Sequence, residues 1–224
     1  MPLIRFHHVE FSYSPGRPVL SDCNFRLEPG QRIALLGANG SGKTTLLHLA
    51  VGLLRPAAGR VEAFGRPRQT ERDFHEVRCR AGLLFQDADD QLFCPTVAED
   101  VAFGPLNLGR SRVEVRQIVA ETLERLGLGG YQERITHQLS GGEKRLVALA
   151  TVLAMQPEVL LLDEPTGGLD EASAQRTVEL LTGLSQTMVV VSHDQIFLKS
   201  ICTAALRLEH GRLEEIDLGQ DCLR

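Results

Sequence analysis

The chain has 224 residues, 43% of them hydrophobic, which suits one domain with a sizeable core and room for a small subdomain. Its 24 Lys and Arg against 29 Asp and Glu leave a net charge of −5 and a pI near 5.8, which argues against a general nucleic-acid surface. No apolar run approaches the roughly twenty residues that cross a bilayer, so any membrane role has to come through a partner.

Leu3 to Phe11 and Leu20 to Leu27 read as two strands, with Ser14-Pro15-Gly16 as the turn region between them. Tyr13 is expected in that turn, where an aromatic either stacks on an adenine or covers the sheet edge. His7 and His8 alternate faces of a strand and cannot both aim at one ligand, so both are expected to be structural. Pro29-Gly30 turns the chain into the apolar run Ile33-Ala34-Leu35-Leu36.

That run breaks into Gly37-Ala38-Asn39-Gly40-Ser41-Gly42-Lys43-Thr44, followed by Thr45-Leu46-Leu47. This is G-x-x-x-x-G-K-[ST] between a strand and a helix, the phosphate-binding loop. Gly37, Gly40 and Gly42 let the backbone approach an anion, and the N–H groups from Asn39 and Ser41 through Thr45 face a phosphate chain at a helix N-terminus. Lys43 is expected on the β and γ phosphates and Thr44 Oγ on Mg²⁺. By itself the loop points to a nucleotide and no further.

A helix is expected from Thr44 to about Leu53, a short strand over Arg60–Phe64, a polar helix over Thr70–Arg78 and a strand at Gly82–Phe85, with Gln86 after it. An acidic stretch, Asp87 to Asp90, runs into Gln91-Leu92-Phe93. A helix is expected over Thr96–Val101, broken by Gly104-Pro105, and Arg112–Leu126 is amphipathic, with Val115, Ile118, Val119, Thr122, Leu123 and Leu126 near one face. Residues 87–156 therefore read as an inserted helical subdomain, and 1–86 with 157–224 as the core of a single domain.

Leu139-Ser140-Gly141-Gly142-Glu143 opens the next helix. Ser140-x-x-Glu143 is a capping box, yet two glycines inside a cap leave N–H groups uncovered for a second anion. Val159-Leu160-Leu161-Leu162 suits a central parallel strand and ends in Asp163-Glu164, where open α/β sheets place ligands. Asp163 is expected to hold Mg²⁺ and Glu164 to orient and polarise the attacking water. Gly167-Gly168-Leu169-Asp170 leads into a helix to about Leu184. Thr187–Val191 is another buried strand, ending at Ser192-His193, so that His193 could donate to a γ-phosphate. Ala204–Leu208 and Arg212–Ile216 read as a hairpin around His210-Gly211. The five cysteines, Cys23, Cys79, Cys94, Cys202 and Cys222, form no C-x-x-C pair and follow no signal peptide, so reduced thiols and a cytoplasmic setting are expected.

In this order the motifs resemble an ATP-binding-cassette ATPase over essentially the full chain: Tyr13, the phosphate loop, Gln86, Leu139-Ser140-Gly141-Gly142-Glu143, Asp163-Glu164, Leu169-Asp170 and His193. The resemblance implies an α/β, P-loop NTPase fold with N-terminal antiparallel strands and an inserted helical subdomain. It implies ATP hydrolysis with Mg²⁺, held by Thr44, Asp163 and Gln86, and a catalytic set of Glu164, His193 and Gln86. It also implies a head-to-tail dimer, homomeric or heteromeric, in which each ATP lies between one protomer's phosphate loop and the other's Ser140-Gly141-Gly142. Gln86-Asp87-Ala88-Asp89-Asp90-Gln91-Leu92-Phe93 and the following Pro95-Thr96-Val97 are similar to the ATPases of energy-coupling-factor importers of cobalt, nickel or vitamins, with Asp87 where that group carries Asn. Such an ATPase sits peripherally on the cytoplasmic face of the membrane and docks integral membrane subunits in the groove from Gln86 to Phe93. The same motifs would serve another transporter class or a non-transport cassette ATPase. Against the DNA-repair kind, only 140 − 43 = 97 positions separate Lys43 from Ser140, with no sustained heptads.

Overall fold

The computed structural model describes residues 1–218. Cys222 lies outside the described residues.

The chain opens with β1 (Ile4–Ser14), β2 (Arg17–Leu27) and β3 (Arg32–Leu36), then α1 (Lys43–Ala50), β4 (Ala58–Ala63), β5 (Arg66–Arg68), α2 (Glu71–Arg80) and β6 (Ala81–Leu84). A helical stretch follows: α3 (Val97–Asn107), α4 (Arg112–Arg125) and α5 (Gly141–Ala154). The chain then returns to β7 (Val159–Asp163), α6 (Glu171–Gly183), β8 (Thr187–Val191), α7 (Gln195–Ile201), β9 (Ala204–Glu209) and β10 (Arg212–Ile216). A four-stranded antiparallel sheet has the order β2-β1-β4-β5, and a six-stranded sheet the order β10-β9-β3-β8-β7-β6. In the larger sheet β9, β3, β8, β7 and β6 are parallel and only β10 is antiparallel.

The strand at Val159–Asp163 lies inside the sheet, between β8 and the edge strand β6, and is buried at every residue, as its unbroken apolar run predicts. Its side chains alternate between two cores. Leu160 and Leu162 join Ala34, Leu84, Met188 and Val190 against α3, α4 and α5. Val159 and Leu161 face the other way, with Ile33, Leu35, Leu46, Leu47 and the smaller sheet's Ile4, Phe6 and Phe25. The larger sheet is thus covered on both faces, and the helical stretch shares a continuous core with one of them.

Several expectations change. The break at Gly104-Pro105 does not occur: α3 runs through both residues. Val97, Val101 and Pro105 are buried, and a Cβ on Gly104 would stand 2.5 Å from Met155 Cγ, so this is where α3 closes on α5. That packing offsets the roughly 3 kcal/mol an interior proline costs. Tyr13 lies within β1 rather than in the turn, because β1 and β2 pair as far as Ser14 and Arg17. The helix after the phosphate loop ends at Ala50, and β5 and α7 add elements that the periodicity does not reveal. His8 falls at a register shift of β1 with φ 48°, its Nδ1 2.6 Å from Asp22, and His7 Nε2 lies 3.1 Å from Glu62; neither reaches the site described below. Cys23, Cys79, Cys94 and Cys202 are all free thiols, and burial pushes Cys23 and Cys202 up to about 12. Among the described residues no helix is long and apolar enough to cross a membrane.

Candidate functional site

Parallel strands put their carboxyl ends on one edge, and here four neighbours deliver the sequence motifs to it. Along the order β3-β8-β7-β6 come the phosphate loop, Ser192-His193, Asp163-Glu164 and Phe85-Gln86. They enclose a cavity of about 560 Å³ lined by Tyr13, Asn39, Lys43, Thr44, Gln86, Asp163, Glu164 and His193 among others. A larger cleft of about 670 Å³ on the loop's other flank shares Asn39, Lys43 and His193 but lacks Thr44, Asp163 and Glu164.

The loop's shape depends on glycine. Gly42 is the N-cap of α1 at φ 107°, and a Cβ there would meet Val19 Cγ1 at 2.7 Å; one on Gly37, at φ 145°, would meet Leu208 O at 2.6 Å. Among the described residues, α1 is the one α-helix that starts without a side-chain cap: Thr70, Thr96, Ser111, Ser140, Asp170 and Asp194 cap the others. Its first N–H groups are left to the cavity, where the helix dipole favours an anion. Lys43 Nζ donates to Gly37 O at 2.7 Å and Ala38 O at 3.0 Å, folded back over the loop. Burial holds Lys43 below the usual lysine range, and the charges of Asp163 and Glu164 pull it partly back.

Thr44 Oγ1 donates to Asp163 Oδ2 at 2.6 Å, so hydroxyl and carboxylate converge on one point. This oxygen-only pair, with the Gln86 amide on the same cavity wall, fits a hard divalent cation such as Mg²⁺. Next to it Glu164 is held in the left-handed region, φ 53°, with its N–H donating to Val191 O at 2.8 Å. Its carboxylate is turned toward the residues that follow β8. Oε2 accepts from Ser192 Oγ at 3.3 Å and His193 N at 3.4 Å. Oε1 is buried, accepts no hydrogen bond among the described residues, and lies 3.5 Å from His193 Nε2. Ser192 is a contact that the sequence reading misses; its position just after a buried strand is the only signal for it.

Tyr13 keeps its ring 63% exposed, edge-on to Phe11 at 4.9 Å, with its hydroxyl 3.0 Å from Thr45 Oγ1. This tether leaves an open aromatic face beside the loop.

Ser140, Gly141 and Gly142 are not in this cavity. Ser140 Oγ accepts from Glu143 N at 3.3 Å and Ser140 N donates to Glu143 Oε2 at 2.8 Å, the full capping box. Glu143 is further held by the Tyr131 hydroxyl at 2.8 Å and by Arg134, whose guanidinium stacks on Tyr131. These contacts, the Ser140 N–H foremost, keep its carboxyl below the ordinary glutamate value. Ser140 and Gly141 are exposed, and the N–H groups of Gly141 and Gly142 lie in the first turn, where no helix supplies an acceptor.

The family model described as "ABC transporter" matches residues 20–167. The energy-coupling factor transporter ATP-binding protein EcfA of Methanothermobacter thermautotrophicus is 45% identical over 216 residues, covering 94% of this chain and 69% of its own. The structure of cbiO1 from Clostridium perfringens, part of the ABC transporter complex cbiONQ, aligns with a TM-score of 0.81 and 34% identity over 95% of this chain and 87% of that one. A dimeric ATP-binding cassette in a post-hydrolysis state, bound to ADP and Pi, aligns with a TM-score of 0.88 and 26% identity over 96% of this chain and 98% of that one. With the phosphate loop, the strand-end acids and the Leu-Ser-Gly-Gly helix arranged on this fold, the chain belongs to the ABC transporter family, as one of its ATP-binding, ATP-hydrolysing cassettes.

Proposed function

We propose that this cassette energises a membrane importer of the energy-coupling-factor type, carrying a transition-metal ion such as cobalt or nickel, or a vitamin. The likeness to EcfA and to cbiO1 supports the importer type. So does the segment after Gln86. It ends in Phe93, which is 66% exposed and packs edge-on against Phe103 at 4.8 Å, with Leu106 also exposed. This apolar ledge beside the Gln86 segment suits a short helix of an integral membrane subunit. The chain would then sit peripherally on the cytoplasmic face, with a core of 1–86 and 157–224 and a helical subdomain of 87–156.

The observation that carries the hydrolytic reading is Glu164 itself: its carboxylate is held by Ser192 and His193 on the wall of the cavity that Lys43, Thr44 and Asp163 also line. Asn39 to Thr45 bind the phosphate chain through backbone N–H groups, with Lys43 leaving the Gly37 and Ala38 carbonyls for the β and γ phosphates. Thr44, Asp163 and Gln86 would hold Mg²⁺, which would neutralise charge between the phosphates. The Glu164 carboxylate accepts a hydrogen bond from the attacking water and takes its proton, while Ser192 and the His193 N–H hold that carboxylate in place. His193 donates to the γ-phosphate, and Tyr13 lays its open face on the adenine. Ser140, Gly141 and Gly142 grip the nucleotide of a second cassette, identical or related, in a head-to-tail dimer.

Replacing Glu164→Gln tests this reading. ATP binding is kept, turnover falls about 10²–10⁴-fold as for a lost general base, and sedimentation shows a dimer with Mg·ATP and a monomer with ADP. Turnover near wild type removes Glu164 from the role. For the importer type, changing Leu92 and Phe93 together to Ser should abolish transport and membrane-subunit binding while sparing the isolated ATPase. Unimpaired transport in that variant places the docking site elsewhere.

A further inference from the structure

The segment that carries Gln86 is held less by the sheet it leaves than by the helix across from it. Arg145, in the second turn of α5, donates from Nη1 to Phe85 O at 2.7 Å and from Nη2 to Gln86 O. Gln91, six residues on, accepts from Phe85 N at 3.1 Å and donates to Ala148 O at 2.9 Å and Thr151 Oγ1 at 2.7 Å, both on α5. Lys144 Nζ pairs with Asp89 at 2.6 Å. Three side chains thus fasten residues 85–91 to α5. The Gln86 side chain itself makes no hydrogen bond among the described residues and faces the cavity, so its aim is set by its backbone.

We propose that Arg145 is a positioning residue for Gln86: its guanidinium fork locks the Phe85 and Gln86 carbonyls to the helix that begins at Ser140, so that this helix and Gln86 move as one piece. The planar fork suits the task, since it spans two carbonyls at once and an ammonium cannot. Its charge lies in the field of the nucleotide site: burial lowers the Arg145 pKa, and Asp163, Asp87 and Glu164 pull it back up. The consequence rests on the dimer reading above. The N-terminus of α5 meets the nucleotide on the other protomer's loop, while Arg145 fixes the glutamine that faces this protomer's own nucleotide. One rigid helix then couples the two ATP sites.

The test compares Arg145→Gln, Arg145→Lys, Gln86→Ala and the double variant Arg145→Gln/Gln86→Ala in the purified chain. Arg145→Gln should lower kcat about three- to thirtyfold, the range for residues that modulate coupling without touching ligand. ADP affinity should be unchanged, and the ATP dependence, which two coupled sites make sigmoidal in the unaltered chain, should become hyperbolic. Arg145→Lys, with one carbonyl contact kept, should fall between. The double variant should be no slower than Gln86→Ala, because a residue that acts through another adds nothing once that other is gone. Hydrogen exchange of the amides from Phe85 to Gln91 should rise in Arg145→Gln without nucleotide, while that of β7 stays as it was. Additive losses in the double variant, or unchanged exchange at 85–91, overturn the proposal. If Arg145→Gln does not fold, exchange and kinetics of Arg145→Lys decide it by the same criteria. A fully active Gln86→Ala would sink the role given to Gln86 but not the clamp, which the exchange measurement judges alone.

Discussion

α1 and α5 both begin with glycines and both are read as anion sites, yet they start in opposite ways. α1 is stripped: Gly42 gives no side-chain cap, and its bare N–H groups open on a cavity that also holds Lys43, Thr44 and Asp163. α5 is self-satisfied: Ser140 and Glu143 cap each other, Tyr131 and Arg134 brace Glu143, and only the first-turn N–H groups of Gly141 and Gly142 remain. The first helix start lines a cavity built within one chain. The second lies outside that cavity with its Glu143 carboxylate tied up in the cap, which under the proposed dimer suits a phosphate presented by another molecule.

Four measurements can break or sharpen that contrast. The largest effect is expected at the stripped end. Gly42→Ala forces a Cβ onto a left-handed backbone and into Val19, and should weaken ADP binding about 100-fold, roughly 3 kcal/mol; calorimetry with near-normal affinity would show that the loop does not need its glycine cap. Next, Ser140→Arg in a Glu164→Gln chain should leave ATP binding intact but prevent the ATP-dependent dimer, and alone should cut hydrolysis about tenfold or more, about 1.4 kcal/mol or above. A dimer that persists in sedimentation would return Ser140 to being a helix cap only.

Ser140→Ala separates the cap from the anion site. It should cost about 1 kcal/mol of stability in urea unfolding, the ordinary value of an N-cap hydroxyl, with ADP affinity unchanged. The smallest effect is pH-dependent. Glu143 has its folded pKa depressed below the ordinary 4.5, so its stabilisation is fully present above that value and is lost as pH falls through the lower folded value. The stability gap between wild type and Glu143→Gln, about 0.5 kcal/mol for a half-buried group at the surface, should therefore narrow below pH 4.5. A gap that widens in acid would mean that Glu143 does not brace α5 as a carboxylate.

The site was legible where chemistry requires fixed residue types at fixed spacing. The phosphate loop, Asp163-Glu164 after a four-residue apolar run, and Ser140 to Glu143 could be read one by one, and the two strands at Val159 and Thr187 announced themselves by four-residue apolar runs. What could not be read involved partners far apart in the chain or packing that overrides local signals. Pro105 is helical because Gly104 lets α3 close on Met155, which no window around the proline contains. Tyr13 belongs to β1 because β2 pairs with it to the end. Arg145 carries no signal in the sequence, since nothing nearby says that its guanidinium meets carbonyls about 60 positions earlier.

By itself, then, the sequence determined the nucleotide chemistry and the α/β class, because phosphate loops, caps and buried parallel strands are local patterns imposed by backbone geometry. Tertiary structure alone decided which groups converge. The strand order β3-β8-β7-β6 is what sets the Glu164 carboxylate against Ser192 and His193 on the cavity wall and lays α5 across the Gln86 segment. Strand order arises from long-range pairing and from burial of both faces of the sheet, and such contacts between distant residues leave no mark in any short stretch of the chain.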